Sequence, residues 1–364
     1  SVRSSATAED LPGASFAGQQ ETFLNVDKPN LIGKVSKCWS SLFTSRAIYY
    51  RQQKGFDHDK VLISVGIQEM VAPDPEAQGV MFTIHPVTGD RTKILIDASY
   101  GLGEAVVSGS VTPDTFIVDK NSMKIIERQV GKKATKDIID KKTGKVTTVN
   151  VSKEEQEKLC LSDQQVIELA KLAKKIDDHY GMAMDIEWAI DKATHKIYIL
   201  QARPETFYGE KAQASVKQEE LAVAEHKVLV KGLAVSPGVG TGPVNLVFDS
   251  KDIGKIKQGD ILVTKMTTPS WVPAMKKSSA IVTDEGGYTC HAAIVSRELG
   301  VPCIVGAGNA TSTLKSGETV TVDGGKGLVY EGEVEAILQG KINDEARIPV
   351  FEQPMSGWRG IAAS

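Results

Sequence analysis

The sequence predicts an α/β chain made of two unlike units. Three observations carry that reading. The stretch AIVTDEGGYTCHAAIVSRELGVPCIVG, Ala280–Gly306, reads as strand, glycine loop, short helix and strand. MDIEWAIDKATHKIYILQAR, residues 184–203, reads as two strands joined by a polar turn, with charged and apolar side chains alternating along each. Between these blocks FYGEKAQASVKQEELAVAEH is polar and rich in Ala, Glu and Lys, as a linker is. The expected organisation is a first unit over 1–206, a linker over 207–226, a second unit over 227–332 and a tail over 333–364.

Taken in order, residues 1–6 form a short polar strand entering the small-residue loop DLPGASFAGQQETFLNV. Gly13, Ser15, Ala17 and Gly18 would let backbone N–H groups approach phosphate closely, and Arg3 would add a planar, permanently charged fork. Alone, the loop fits a plain glycine turn equally well. Val35–Arg51 is expected as one amphipathic helix with Cys38, Trp39, Leu42, Phe43 and Tyr49 as its core stripe, ended by Gly55. Val61–Met70, Gly79–Thr83, Lys93–Ser99, Phe116–Asp119 and Ile125–Val130 read as strands, and GLGEAVVSG as a structural glycine turn into a short helix. Lys132–Lys145 is charge-rich and is expected as a solvated, mobile hairpin or loop. Ser162–His179 is the clearest helix: Ser162 and Gln165 form a capping box, Val166, Leu169, Ala173 and Ile176 the apolar stripe, and Gly181 the stop.

In the following hairpin Asp185, Glu187 and Ala189 alternate with Ile186, Trp188 and Ile190. Strict alternation on the partner strand puts Gln201 and Arg203 on one face, and Tyr198 and Leu200 on the other. Two carboxylates, an amide and an arginine then converge. Hard oxygens of this kind suit Mg²⁺, whose remaining ligands are waters and phosphate, and Arg203 would balance charge on a transferred group. The same residues also fit an ordinary half-exposed face with salt-bridged charges. Strands are expected over Gly242–Phe248, Asp260–Thr264, Ala280–Thr283, Cys303–Val305, Thr319–Asp323 and Leu328–Tyr330, and a short helix over Val334–Leu338.

His291 lies near the first turn of the helix that Thr289 is expected to cap and Gly300 to end. Free backbone N–H groups and the positive helix end favour anions there and disfavour an imidazolium. A neutral ring in that place suits nucleophilic attack on phosphorus; taken in isolation, the residue also fits a simple helix cap. Cys290 beside it reads as a small packing residue.

The 364 residues carry a formal charge of −3, which gives no broad field for nucleic acid or an anionic membrane surface. No apolar run is long enough to cross a bilayer. Cys38, Cys160, Cys290 and Cys303 lack CxxC spacing, which argues against a disulfide framework or zinc site and for a reducing cytoplasm.

The string GGYTCHAAIVSRELGVPCIVG resembles the phosphohistidine motif of the phosphoenolpyruvate synthase (pyruvate, water dikinase) and pyruvate, phosphate dikinase group, and SPGVGTG and DGGKGLVYEG resemble other parts of its swivelling β/β/α domain. SVRSSATAEDLPGASFAGQQETFLNV resembles the group's nucleotide-binding segment, and the 184–203 block resembles the closing strands of an ATP-grasp domain. The resemblance covers roughly the first 330 residues, with its motifs in the family's order. It implies that His291 is the phosphorylated histidine with Thr289 in its motif. It further implies that Arg3, Gly18, Thr22, Gln68, Glu187, Gln201 and Arg203 contact ATP, and that Glu187, Asp185 and Gln201 lie near Mg²⁺.

The implied reaction converts ATP, pyruvate and water to phosphoenolpyruvate, AMP and phosphate through His291, in the cytoplasm and in a homo-oligomer formed through regions outside this chain. Alternatives are a dikinase with another acceptor, such as orthophosphate, and a non-catalytic phosphocarrier or assembly module. The opening SVRSSA reads as the middle of a domain, so the chain is expected to be a fragment lacking the first ATP-grasp lobe and the C-terminal barrel.

Overall fold

Six strands of the first unit form one antiparallel sheet in the order Ile197–Pro204, Met184–Ile190, Ala77–Phe82, Lys93–Ser99, Asp114–Asp119 and Lys124–Gln129. The computed structural model describes residues 1–8, 19–71, 74–140, 142–205 and 226–334. One face of this sheet is apolar: Met81, Ile94, Ile96, Phe116, Ile186, Trp188 and Ile190 pack beneath Val166, Leu169 and Ala173 of the helix Asp163–Tyr180. That helix forms as its spacing predicts. Ser162 and Gln165 make the reciprocal capping box, and Gly181 ends the helix in the left-handed region at φ 69°. The opposite face carries Asp185 and Glu187.

Beside it, Val2–Ala6 pairs with Ile63–Ile67 as a two-stranded antiparallel sheet, with Arg3 opposite Gly66. The second unit is an eight-stranded mixed sheet: Val228–Lys231, Leu328–Glu331, Thr319–Asp323, Val239–Leu246, Ile261–Thr264, Ala280–Thr283, Cys303–Val305 and Leu233–Ser236. The central strands from Val239–Leu246 to Cys303–Val305 are parallel, and the last three of them, Ile261–Thr264, Ala280–Thr283 and Cys303–Val305, are wholly buried and read as continuous apolar runs for that reason. Ala292, Val295 and Leu299 of the helix His291–Leu299 pack into the cluster containing Leu262, Ile281 and Cys303, as their spacing predicts.

Four sequence expectations change. The single helix expected over Val35–Arg51 is two helices, Leu31–Ser40 and Ser45–Lys54, separated by a 3₁₀ turn. Thr44 breaks it: its backbone is extended and its hydroxyl accepts from the Ala47 amide, capping the second helix. The break turns Trp39 and Phe43 outward, so the aromatic stripe is not core; Cys38 and Leu42 are. The segment 132–145 contributes a hairpin, Thr135–Ile139 with Val146–Asn150, but Lys133 is wholly buried against Asp114 rather than solvated. Thr289 does not cap the helix; Cys290 holds the N-cap position, with no side-chain cap bond.

The fourth change is a β-bulge. Ile199 pairs with Trp188 and Gln201 with Glu187, leaving Leu200 unpaired between them. The bulge resets the alternation, so Ile197 and Ile199 face the core while Gln201 and Arg203 face the carboxylates. Leu200 lines the cavity on the carboxylate side rather than turning away from it.

The calls on Gly13, Ser15, Ala17 and Gly18, on most of the 207–226 linker and on the tail beyond Val334 lie outside the described residues. Among the described residues no helix is long and apolar enough to cross a membrane.

Candidate functional site

Arg3 is the centre of one end of the site. Its guanidinium donates to Glu187 Oε2 at 2.7 Å, Gln201 Oε1 at 2.5 Å and Gln68 Oε1 at 3.3 Å. Gln68 in turn donates its amide to the Leu200 carbonyl at 2.9 Å, which ties the two-stranded sheet to the bulge of the six-stranded one. The adjacent rung of the hairpin is an ion pair: Arg203 Nε donates to Asp185 Oδ2 at 3.0 Å. Asp185 is buried, which raises its carboxyl above the usual range, with the Arg203 charge opposing that rise. Its other oxygen, Oδ1, is buried without a hydrogen-bond partner. Six of the expected residues thus form two neighbouring polar groups, Arg3 with Gln68, Glu187 and Gln201, and Arg203 with Asp185.

Arg3, Gln68, Glu187, Gln201 and Arg203 line a cavity of about 990 Å³, which also receives Thr22, Arg46, Gly103, Glu104, Thr267, Thr268 and His291. Arg46 is held by Gln19 and Glu21, with Arg46 Nη2 3.3 Å from the Glu21 carboxylate. Gly103 and Glu104 of the GLGE turn face the cavity as well as shaping the chain, and the Gly103 amide donates to Gln78 Oε1 at 2.5 Å.

His291 occupies the first turn of its helix and lines the same cavity. Its Nδ1 lies 2.9 Å from Thr267 Oγ1, while Nε2 has no partner. With Nδ1–H donating to the threonine oxygen, Nε2 carries the free lone pair. Burial pushes the imidazolium pKa down to about 4. The ring is therefore neutral at ordinary pH, as the sequence predicts, with desolvation as the cause.

The lowered value has a measurable sign. Between its unfolded value near 6.5 and about 4 the unfolded chain binds the proton and the folded chain does not, so this group's stabilisation is present above 6.5 and lost as the pH falls through that window. Replacing His291 by Gln removes that contribution, seen as a shallower loss of melting temperature between pH 6.5 and 4. Cys290 is buried and its thiol is pushed up by desolvation, which fits packing and not nucleophilic attack.

Thr267 and Arg46 were not singled out from the sequence. Thr267 is one of several threonines in the loop TKMTTPSW, and only the packing of that loop against the helix start brings its hydroxyl to the imidazole.

Residues 1–223 match the family model described as pyruvate phosphate dikinase, AMP/ATP-binding domain, and residues 256–327 match the PEP-utilising enzyme, mobile domain. The chain belongs to the pyruvate phosphate dikinase AMP/ATP-binding family. It is 55% identical over 346 residues to a phosphoenolpyruvate synthase of Pyrococcus furiosus, covering 93% of this chain and 42% of that protein. It is 55% identical over 335 residues to a probable phosphoenolpyruvate synthase of Archaeoglobus fulgidus, covering 92% and 43%. A phosphoenolpyruvate synthase of Aquifex aeolicus is 48% identical over 353 residues, with 92% and 41% covered. The chain thus spans under half the length of these relatives.

For a family that acts on ATP, the donor set bears on a divalent cation. Among the described residues no group of three or more His, Cys, Asp or Glu side chains could hold a metal alone. Glu187 and the Gln201 carbonyl, with the unpartnered Asp185 Oδ1 behind them, offer hard oxygens only. That set fits Mg²⁺, which takes one or two protein carboxylates and fills its other positions with phosphate and water.

Proposed function

We propose that this chain is the ATP-grasp nucleotide-binding part and the swivelling phosphohistidine part of a phosphoenolpyruvate synthase, which converts ATP, pyruvate and water to phosphoenolpyruvate, AMP and orthophosphate. The observation that carries the reading is that one cavity is lined both by Arg3, Gln68, Glu187, Gln201 and Arg203 and by a neutral histidine with an unpartnered Nε2.

His291 Nε2 attacks the β-phosphorus of ATP, the bond from that phosphorus to the α–β bridging oxygen breaks, and AMP leaves. Water then attacks the γ-phosphorus and releases orthophosphate, leaving a phosphoryl group on Nε2. The enol oxygen of pyruvate, formed by loss of a methyl proton, takes the phosphoryl group and restores the neutral ring. In the first step this chain's work is positioning and charge balance. Arg3 and Arg203 clamp the phosphates, with the phosphates competing against Glu187 for Arg3. Gln68, Thr22 and Gly18 hold the nucleotide. Neutralisation of the phosphate charge is what Mg²⁺ supplies when bound near Glu187, Gln201 and Asp185.

The full-length protein incubated with ATP and pyruvate is expected to yield AMP, orthophosphate and phosphoenolpyruvate in equal amounts without added orthophosphate. A requirement for orthophosphate, with pyrophosphate as product, overturns the choice of water as acceptor. Thr267→Val is expected to slow ATP-driven labelling of His291 about tenfold, the worth of one hydrogen bond that selects the tautomer. Thr267→Ser should retain the rate, and ATP affinity measured by calorimetry should be the same in both.

A further inference from the structure

The loop ahead of His291 is gripped from the other unit. Thr289 donates its hydroxyl at 3.3 Å to Asp97 Oδ2, on the strand Lys93–Ser99 of the six-stranded sheet. Asp97 is wholly buried and lies outside the cavity lining. Its other oxygen accepts from the Thr115 hydroxyl at 2.7 Å; burial pushes the Asp97 carboxyl up to about 6, and the hydroxyls of Thr115 and Thr289 and the backbone amides of Thr289 and Tyr288 oppose that rise. Tyr288 rests on an apolar seat of Val80, Phe82, Ile84, Leu95 and Ala183 on the same sheet unit.

The backbones meet closely on both sides of this grip. A Cβ on Gly287 would lie 2.7 Å from Pro113 Cγ, and one on Gly109 would lie 2.8 Å from Cys290 Cβ, so only glycine fits at either place.

We propose that Asp97 and the apolar seat under Tyr288 form a docking latch that holds the histidine loop over the nucleotide cavity, so that both are positioning residues for the phosphorylation of His291 by ATP. The proposal rests on the function proposed above and adds the residues that define the docked state. A carboxylate is costly to bury unless donors surround it, and here most of its donors come from the loop it holds. Asp97 is therefore well satisfied inside the protein only while the loop is in place. The ring of Tyr288 supplies the apolar part of the same fit, and neither residue touches the atoms that react.

The test compares two phosphoryl donors in the full-length protein. Asp97→Asn and Tyr288→Ala are each expected to slow His291 phosphorylation from ATP by about tenfold to a hundredfold, the worth of one or two hydrogen bonds to a charged group or of a large buried ring. Both should leave ATP affinity unchanged, and both should leave phosphorylation of His291 from phosphoenolpyruvate unchanged. Tyr288→Phe, which keeps the ring, should behave as the unsubstituted protein, and the contrast of Tyr288→Ala with Tyr288→Phe serves the test if Asp97→Asn folds poorly.

Equal losses from both donors, or full ATP-driven labelling in Asp97→Asn and Tyr288→Ala, would overturn the latch while leaving His291 as the carrier. Failure of the unsubstituted protein to label from either donor overturns the functional reading and the latch together.

Discussion

Protein with His291 replaced by alanine takes up no phosphoryl group from ATP, while its affinity for ATP stays within about twofold of the parent. The expectation follows from how the site divides its work. The ATP-facing end is an arginine-centred cluster of Arg3, Gln68, Glu187 and Gln201 that does not include the histidine. The proposed nucleophile is a single ring whose Nε2 is buried, unpartnered and uncharged. Removing the ring deletes the one atom positioned to form a bond to phosphorus, and no neighbour substitutes for it. Cys290 is buried with its thiol raised, and Thr289 is committed to Asp97. Intact mass measurement after incubation with ATP and Mg²⁺ reads the result directly. A mass gain in the alanine variant that maps to another side chain would remove the assignment.

The largest loss of stability is expected far from this chemistry, at Lys133. Its ammonium and the Asp114 carboxylate are both inaccessible to solvent and ion-paired. Lys133 also donates to the Gly131 carbonyl at 2.9 Å, while Asp114 accepts from the amides of Gly131 at 2.8 Å and Cys160 at 2.7 Å. The pair therefore pins the hairpin region and the approach to the long helix onto the strand Asp114–Asp119. Lys133→Met keeps the volume and removes the charge, leaving a buried carboxylate without its cation. Breaking a buried pair in this way costs about 3–5 kcal/mol. For a unit of this size each kcal/mol moves the melting temperature by about 2–4 °C, so a fall of roughly 6–20 °C is expected by calorimetry. Adding Asp114→Asn to Lys133→Met should recover part of that loss, because the amide oxygen still accepts from one backbone donor while the stranded charge is gone. A single variant that melts within about 2 °C of the parent would show that the pair contributes little.

Much of the site was legible in the residues themselves. Arg3, Gln68, Glu187, Gln201 and Arg203 were marked from three separate stretches and come together around one cavity with His291. Arg3, Glu187, Gln201, Arg203 and His291 sit in local patterns that read directly, a strand, a hairpin and a glycine loop before a helix, whereas Gln68 is marked only by the family resemblance. Thr267, Arg46 and Asp97 carry no such pattern. Asp97 lies in KILIDAS, an otherwise apolar buried strand, and its meaning depends on a loop nearly two hundred positions away that supplies its donors. Lys133 was misread for the same reason, since a lysine in a charged run looks solvated until its partner on another strand is known.

From the residues alone came the chemistry of the chain and its local elements: the capped helix Asp163–Tyr180, the apolar strands of both sheets, and a histidine at the start of a helix preceded by glycines. These follow from periodicity, capping and backbone freedom, which act over a few residues. Tertiary structure alone placed Ile197 and Ile199 on the core face and Leu200 on the cavity, because a bulge between Ile199 and Gln201 resets the alternation. It alone set the contact of Thr267 with the His291 ring and the seating of the loop Gly286–Cys290 on a distant sheet. Those outcomes depend on burial and hydrogen bonding between segments far apart in the chain, and the physical terms that decide them, desolvation and close packing, do not exist until the segments meet.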